Sequence, residues 1–548
     1  MGAINEKTIV RGARIVDGTG NPWFYGDLVL AGSRISAIAP AGSVSIPGAV
    51  EVDATEMVAC PGFIDIQSHS IVTFMTDRRS VSKITQGVTT EIMGEAWTPA
   101  PFGGKITDPF RDFGTPEDAN HDEWLALSKT WTRFGDWLRW LEAKGVSVNV
   151  GSFVGDGTVR EWGKGLAMGP ASIAELESMQ KMLDAAMRDG AFGLATALIY
   201  PPGSYASTEE IIALCQVVAE HHGVHITHMR SEESRLDEGF TETLEIARRT
   251  RVATEIYHLR AAGRTNWGKM PGIIDRISAA RASGIDITAT MYPYIAAGTG
   301  IATCLPLWAE ADGQLFANLE NGETRARIRR AMVEPADDWE NLGASAGPEG
   351  VILAGLRLPE FMRYRGRSLA EVAAERGEEW PDTIIELLIA ERRNIFCYYV
   401  DMSDENLRLQ MRQPWITFST DASGVDPATR NEGGWLHPRA FGTYPRVLGH
   451  YVRDEGVITL EDAIRKMTSA VANRLSIRDR GLLRSGMAAD VVLFDPAAIA
   501  DRAAFDNPHQ LSAGVRDVWV NGVRVLREGT HTGMTPGQWL RGPGATFA

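Results

Sequence analysis

Five side chains able to bind a divalent cation recur at comparable places along the chain. Each closes or follows a short apolar run: His69 after GFIDIQS, Glu95 after VTTEIMG, His228 ending VHITH, His258 ending ATEIYH, and Asp421 after PWITFST. The chain has only eleven histidines, so three at the ends of three different runs need a reason. Side chains alternate between two faces of an extended run. Gln67 therefore shares a face with His69, His228 with Val224 and Ile226, and His258 with Thr254 and Ile256. Imidazoles and carboxylates converging on one point suit a divalent ion such as zinc. A single histidine at a strand end is more often a hydrogen-bonded core residue, and it is the joint pattern that favours a metal site. His221 and His222 close a helical stretch, where a cation suits the dipole. His225 points to the face opposite His228.

The elements that must position these groups follow from periodicity. Eight strand-like runs are spaced along the centre: 62–68, 88–94, 146–155, 190–196, 224–228, 253–258, 284–292 and 414–420. Helical stretches lie between several of them. One opens at Ser172 and stops at Gly190, and Ser207-Thr208-Glu209-Glu210 reads as a capping box opening another. Repeated strand–helix units with buried parallel strands predict an α/β fold, and eight of them predict a TIM (β/α)8 barrel, whose chemistry collects at the C-terminal ends of its strands. The stretch 293–413 is too long for a loop and is expected to fold as an insertion; 97–145, carrying Trp97, Trp124, Trp131, Trp137 and Trp140, is expected to be another. Both ends of the chain are β-rich. TIVRGARIVDG and GDLVLAG open it, and ADVVLFDP and VRDVWVNGVRVLREG come near its close, with Asn521-Gly522 as a hairpin turn. One small sheet domain assembled from both termini is expected, from residues 1–60 and 481–548 around a catalytic domain at 61–480.

Composition narrows the function. The chain of 548 residues is 44% hydrophobic and 23% charged, with a net charge of −15. An acidic surface argues against nucleic-acid and anionic-membrane partners. No stretch approaches the ~18 apolar residues of a membrane span. The first residues, MGAINEKTIVRGARIV, lack a basic-then-apolar leader, so a cytoplasmic location is expected. Four scattered cysteines with no CxxC spacing are expected to be buried thiols.

At these residues the chain resembles the amidohydrolase superfamily, and within it the N-acyl-D-amino-acid deacylase (D-aminoacylase) family. The similarity runs over ACPGFID, ITQGVTTEIMGE, GAFGLATALIYPPGSYASTEE, THMRSE, YHLRAAGRTNWGKM, HPRAFGTYPRVLGHYVRDEGVITLEDAIRKMTS and RDRGLLRSGMAADVVLFDP. The resemblance implies a metal-bearing TIM barrel with a small β-sandwich built from both ends. It also exposes departures. The family's His-x-His after the first strand is Gln67-Ser68-His69 here, and its Asn-Cys after the second strand is Glu95-Ala96, without the Cys ligand. The family's Gly-Ser-Asp-Gly is Ser419-Thr420-Asp421-Ala422, and its Lys after the second His is Arg260, whereas His228, His258 and Asp421 are kept.

The resemblance implies metal-dependent hydrolysis of an amide C–N bond. The expected metal ligands are His69, Glu95, His228, His258 and Asp421, with one zinc ion held tightly and the second site impaired by Gln67. Asp421 is the expected proton carrier, and Arg260, Tyr292 and Arg439 are expected to bind the substrate, with Arg439 on its carboxylate. The expected partner is a small amide bearing a carboxylate, and homo-oligomer formation is left open. Three alternatives remain: a hydrolase of a cyclic amide, imide or lactone on the same scaffold, a non-catalytic binding protein, and a structural assembly protein.

Overall fold

The computed structural model describes residues 7–111, 120–334, 339–429 and 434–546. All eight expected runs carry strands, and the strands pair in parallel. Six form one sheet, in the order Ile416–Phe418, Ile287–Met291, Ala253–Ile256, Val224–His228, Gly193–Ala197 and Val154–Gly155. Phe63–Asp65, Val88–Met93 and Asn149–Ser152 form a second parallel sheet. Only Phe153 separates Asn149–Ser152 from Val154–Gly155, and its amide donates to Met93 O at 2.8 Å. At the other end of the order, Ser68 and Ala422 form an isolated parallel bridge. The result is a mixed α/β fold with nearly every strand residue buried, as parallel sheets covered on both faces require.

The helices between strands end where local chemistry stops them. Ile173–Asp189 has a full capping box between Ser172 and Glu175, and Gly190 closes it in the left-handed region at φ 112°. The box expected at Ser207 is only half formed. Ser207 caps Glu210 N, but the Glu210 carboxylate turns away to Arg160 Nη1 at 2.5 Å, because a buried guanidinium needs a buried anion.

The two chain ends meet in a single nine-stranded sheet. Lys7–Ile15, Phe24–Ala31, Arg34–Pro40, Val50–Asp53 and Val58–Pro61 join Val491–Phe494, Val515–Val520, Val523–Arg527 and Thr530–His531. Asn521 and Gly522 both have positive φ, as a two-residue hairpin turn demands. Within 293–413 the chain builds a further antiparallel sheet, Ala297–Gly300, Phe396–Tyr399 and Val351–Leu353, with its own apolar cluster around Leu319, Ile328, Leu353, Ile384 and Leu388. All four cysteines are buried free thiols. Among the described residues, no helix is long and apolar enough to cross a membrane.

Candidate metal centre

The C-terminal ends of the parallel strands bring the five residues together. Gly94 makes the turn that delivers Glu95: its φ is 108°, and a Cβ there would lie 2.3 Å from Phe153 O, so only glycine fits. His258 and Asp421 also hold positive φ, 31° and 49°, which side-chain-bearing residues adopt only under constraint. The constraints are visible: His258 N donates to Thr290 Oγ1 at 2.8 Å, and Asp421 N donates to Gln67 O at 3.0 Å.

Glu95 lies at the centre. Its Oε1 is 3.5 Å from His228 Nδ1 and 3.7 Å from His258 Nε2, and its Oε2 is 3.4 Å from His69 Nε2. His69 Nε2 is in turn 2.8 Å from Asp421 Oδ1. Two sets of donors therefore converge to within 4.8 Å: Glu95, His228 and His258, all buried, and His69, Glu95 and Asp421, with His69 partly open to solvent. Gln67 joins neither set. Its amide donates to Glu95 Oε2 at 2.7 Å and its carbonyl accepts from Ser419 Oγ at 3.0 Å, so it orients the carboxylate rather than offering a donor.

The electrostatics call for positive charge here. Burial opposes ionisation throughout, yet contacts with Asp421 and Glu95 raise His69 to about 10, and Glu232 and Glu95 raise His258 to about 9. Burial likewise opposes the Glu95 anion, but His228, His258 and His69 hold it well below the ordinary carboxylate range. Protonated imidazoles thus balance the carboxylates where a cation would do so. Both ring nitrogens of His228 are buried without a hydrogen bond. The one that faces Glu95, Nδ1, is placed to meet a divalent ion of the zinc class.

The three residues expected to bind substrate are buried beside this centre. Arg439 Nη1 is 2.7 Å from Asp421 Oδ2, its Nη2 donates to Gly298 O at 3.1 Å, and its guanidinium lies 4.7 Å from the centre of the Tyr292 ring. Arg260 Nη1 donates to Tyr292 OH at 3.1 Å, while its Nε lies 2.6 Å from Glu232. Each arginine therefore already faces a carboxylate of the protein.

A family model described as the amidohydrolase family matches residues 390–526. A D-aminoacylase from Alcaligenes xylosoxydans xylosoxydans is 32% identical over 538 residues, 97% of this chain and 97% of that one. The chain belongs to the D-aminoacylase family of amidohydrolases. A crystal structure of a D-aminoacylase, described as defining a novel subset of amidohydrolases, matches with a TM-score of 0.79 at 31% identity, covering 97% of this chain and 99% of that one. The N-acyl-D-glutamate deacylase from Bordetella bronchiseptica, complexed with zinc and a phosphonate mimic of the tetrahedral intermediate, matches with a TM-score of 0.79 at 28% identity, covering 98% of this chain and all of that one (100%).

Two residues of this D-aminoacylase-family site escape a reading of the sequence. Glu232 is 1% exposed and faces both His228 and His258. Lys83 is fully buried, pairs with Asp65, and donates to Ala422 O at 2.8 Å, which ties down the turn that carries Asp421. Both lie in polar stretches, MRSEES and VSKITQ, where nothing in the local pattern separates a buried charge from a solvated one.

Proposed function

We propose that the protein is a metal-dependent deacylase that hydrolyses the amide bond of N-acyl-D-amino acids. The observation that carries this reading is the buried convergence of Glu95, His228 and His258 beside His69 and Asp421. Relatives named for D-aminoacylase and N-acyl-D-glutamate deacylase activity support the substrate class. The eight runs of parallel strand and the Ser68–Ala422 bridge support a closed (β/α)8 barrel. The apolar cluster uniting Val10, Leu28, Ala59, Val491 and Trp519 supports a sandwich built from both ends of the chain, with 61–480 as the catalytic domain. Four free thiols suit a reducing, cytoplasmic setting.

Glu95, His228 and His258 would hold one zinc ion, with His69 and Asp421 bordering it. When bound, the ion supplies Lewis-acid polarisation of the scissile carbonyl and of the attacking water. Asp421 accepts the proton of that water and passes it to the leaving nitrogen, a step an amide needs because an amine anion leaves poorly. Arg439 meets the substrate carboxylate: its Nε is buried without a hydrogen bond, and its planar fork matches that anion. Tyr292 and Arg260 form the neighbouring wall of the pocket.

The test is hydrolysis by zinc-loaded protein of a panel of N-acyl-D-amino acids, N-acyl-L-amino acids and cyclic amides or imides. Release of free D-amino acids supports the proposal. Turnover confined to cyclic substrates, or no turnover despite bound zinc, overturns it.

A further inference from the structure

Glu232 lies four residues beyond His228, in the loop that leaves the strand Val224–His228, and its carboxylate contacts both metal-site histidines on their far sides. Its Oε2 is 3.3 Å from His228 Nε2 and its Oε1 is 3.2 Å from His258 Nδ1. The opposite nitrogens, His228 Nδ1 and His258 Nε2, are the ones that face Glu95 Oε1. The two rings sit 4.5 Å apart and nearly perpendicular, at 79°. One carboxylate therefore bridges the backs of two imidazoles whose fronts share another.

We propose that Glu232 is the positioning residue for the metal centre: it fixes His228 as the Nε2–H tautomer and His258 as the Nδ1–H tautomer, turning one lone pair of each toward the ion. The proposal deepens the metal-site reading above and rests on it. A neutral imidazole can offer a lone pair to a cation only from the nitrogen that carries no proton. An acceptor at the other nitrogen selects that tautomer and orients the ring. Glu232 is built for this and not for ligation. Neither convergent donor set among the described residues includes it, because its two oxygens are spread over two rings.

The loop is held in place independently of any ion. Glu232 N donates to Glu340 Oε1 at 3.0 Å, and Glu232 O accepts from Ala262 N at 2.8 Å. The first ties the loop after the strand Val224–His228 to the insertion and the second ties it to the loop after Ala253–Ile256, so the carboxylate is fixed relative to both histidines. Arg260 Nε, 2.6 Å from Oε2, completes the set. The carboxylate faces the Arg260 guanidinium, so it meets both rings as an acceptor. Arg260 thus acts on the centre through Glu232.

The experiment uses the full-length protein and three readouts. Zinc affinity is measured by competition with a chromogenic chelator for wild type, Glu232→Gln and Glu232→Asp. Replacing an acceptor carboxylate behind a ligand should weaken zinc binding by about 10–100-fold in the Gln variant, with partial recovery in Asp. The visible absorption of the Co2+-loaded Gln variant should shift, while the melting temperature of its metal-free form stays near that of wild type. Long-range 1H–15N spectra of zinc-loaded, histidine-labelled wild type should show a proton on Nε2 of His228 and on Nδ1 of His258. This readout needs no variant to fold. The opposite tautomers, or a Gln variant that binds zinc as tightly as wild type with an unchanged Co2+ spectrum, would overturn the role of Glu232 alone. Wild-type protein that binds no zinc would overturn the metal-site reading and this one with it.

Discussion

Glu95 makes more contacts in the centre than any other ligand candidate, since one carboxylate meets His69, His228, His258 and Gln67 within 3.7 Å. Glu95→Ala should therefore lose zinc far more than it loses stability, which paired measurement of zinc affinity and metal-free melting temperature will check; retained metal and activity would mark Glu95 as a bystander. Asp421 differs in kind. It lies between His69 and Arg439 and is the group assigned to proton transfer. Asp421→Asn keeps the size but cannot accept a proton at neutral pH, so turnover should fall by at least about 10²–10⁴-fold with the fold and most of the zinc retained. A folded Asn variant with near-normal turnover would remove Asp421 from the chemistry. At this scale the sequence was legible where residues close an apolar run, because strand parity and strand end are written in the local pattern. It was silent on Glu232 and Lys83, whose importance comes from burial by distant segments, and on Gln67, which could be seen as a departure from His but not as the hydrogen-bond partner of Glu95.

The helix Arg439–Arg446 shows how an element delivers a side chain to the site. His437 Nδ1 accepts from Arg439 N at 3.0 Å, and its Nε2–H donates to Ala296 O at 2.9 Å, two residues before the carbonyl of Gly298 that holds the Arg439 side chain. Tyr292, Tyr294, Tyr398 and Phe505 surround the ring, with centroids 5.1–6.1 Å away. Burial and the nearby Arg439 keep the imidazole well below its ordinary pKa, hence neutral and able to accept. His437→Ala removes both bonds. Each is worth about 1 kcal/mol, so KM for N-acyl-D-amino acids should rise by about tenfold or more while kcat changes little. A substrate lacking the carboxylate should show no such rise, and an equal rise for both would mean that His437 serves packing alone. The element scale was legible wherever β-branched runs or caps announce themselves, as at Val224–His228 and Ser172. It failed inside 293–413. The strand Ala297–Gly300 reads AGTG, with two glycines and one β-branched residue, and it is a strand because Phe396–Tyr399 pairs with it.

The whole molecule solves a problem of distance along the chain. His69 and Asp421 lie 352 positions apart and meet at 2.8 Å, because the first and last parallel strands are neighbours through Ser68 and Ala422. The insertion reaches the same centre: Tyr200 packs against His228, and its hydroxyl lies 2.9 Å from Thr299 Oγ1. The meeting of the two chain ends in one sheet could be anticipated from their Val- and Ile-rich runs. The placement of the insertion at the site could not, since it depends on contacts between segments about a hundred residues apart, such as Tyr200 and Thr299. Gln67 sets the expected stoichiometry, for its amide is engaged by Glu95 and Ser419 and a neutral amide is a poor zinc ligand beside imidazole. Protein stripped with chelator and titrated with zinc, while release of D-amino acid from an N-acyl-D-amino acid is followed, will decide the matter. Activity should be absent without metal, rise in proportion to added zinc, and reach its maximum at one ion per chain. Full activity in the stripped protein, or a maximum reached only at two ions per chain, would contradict a single zinc centre built on Glu95, His228 and His258.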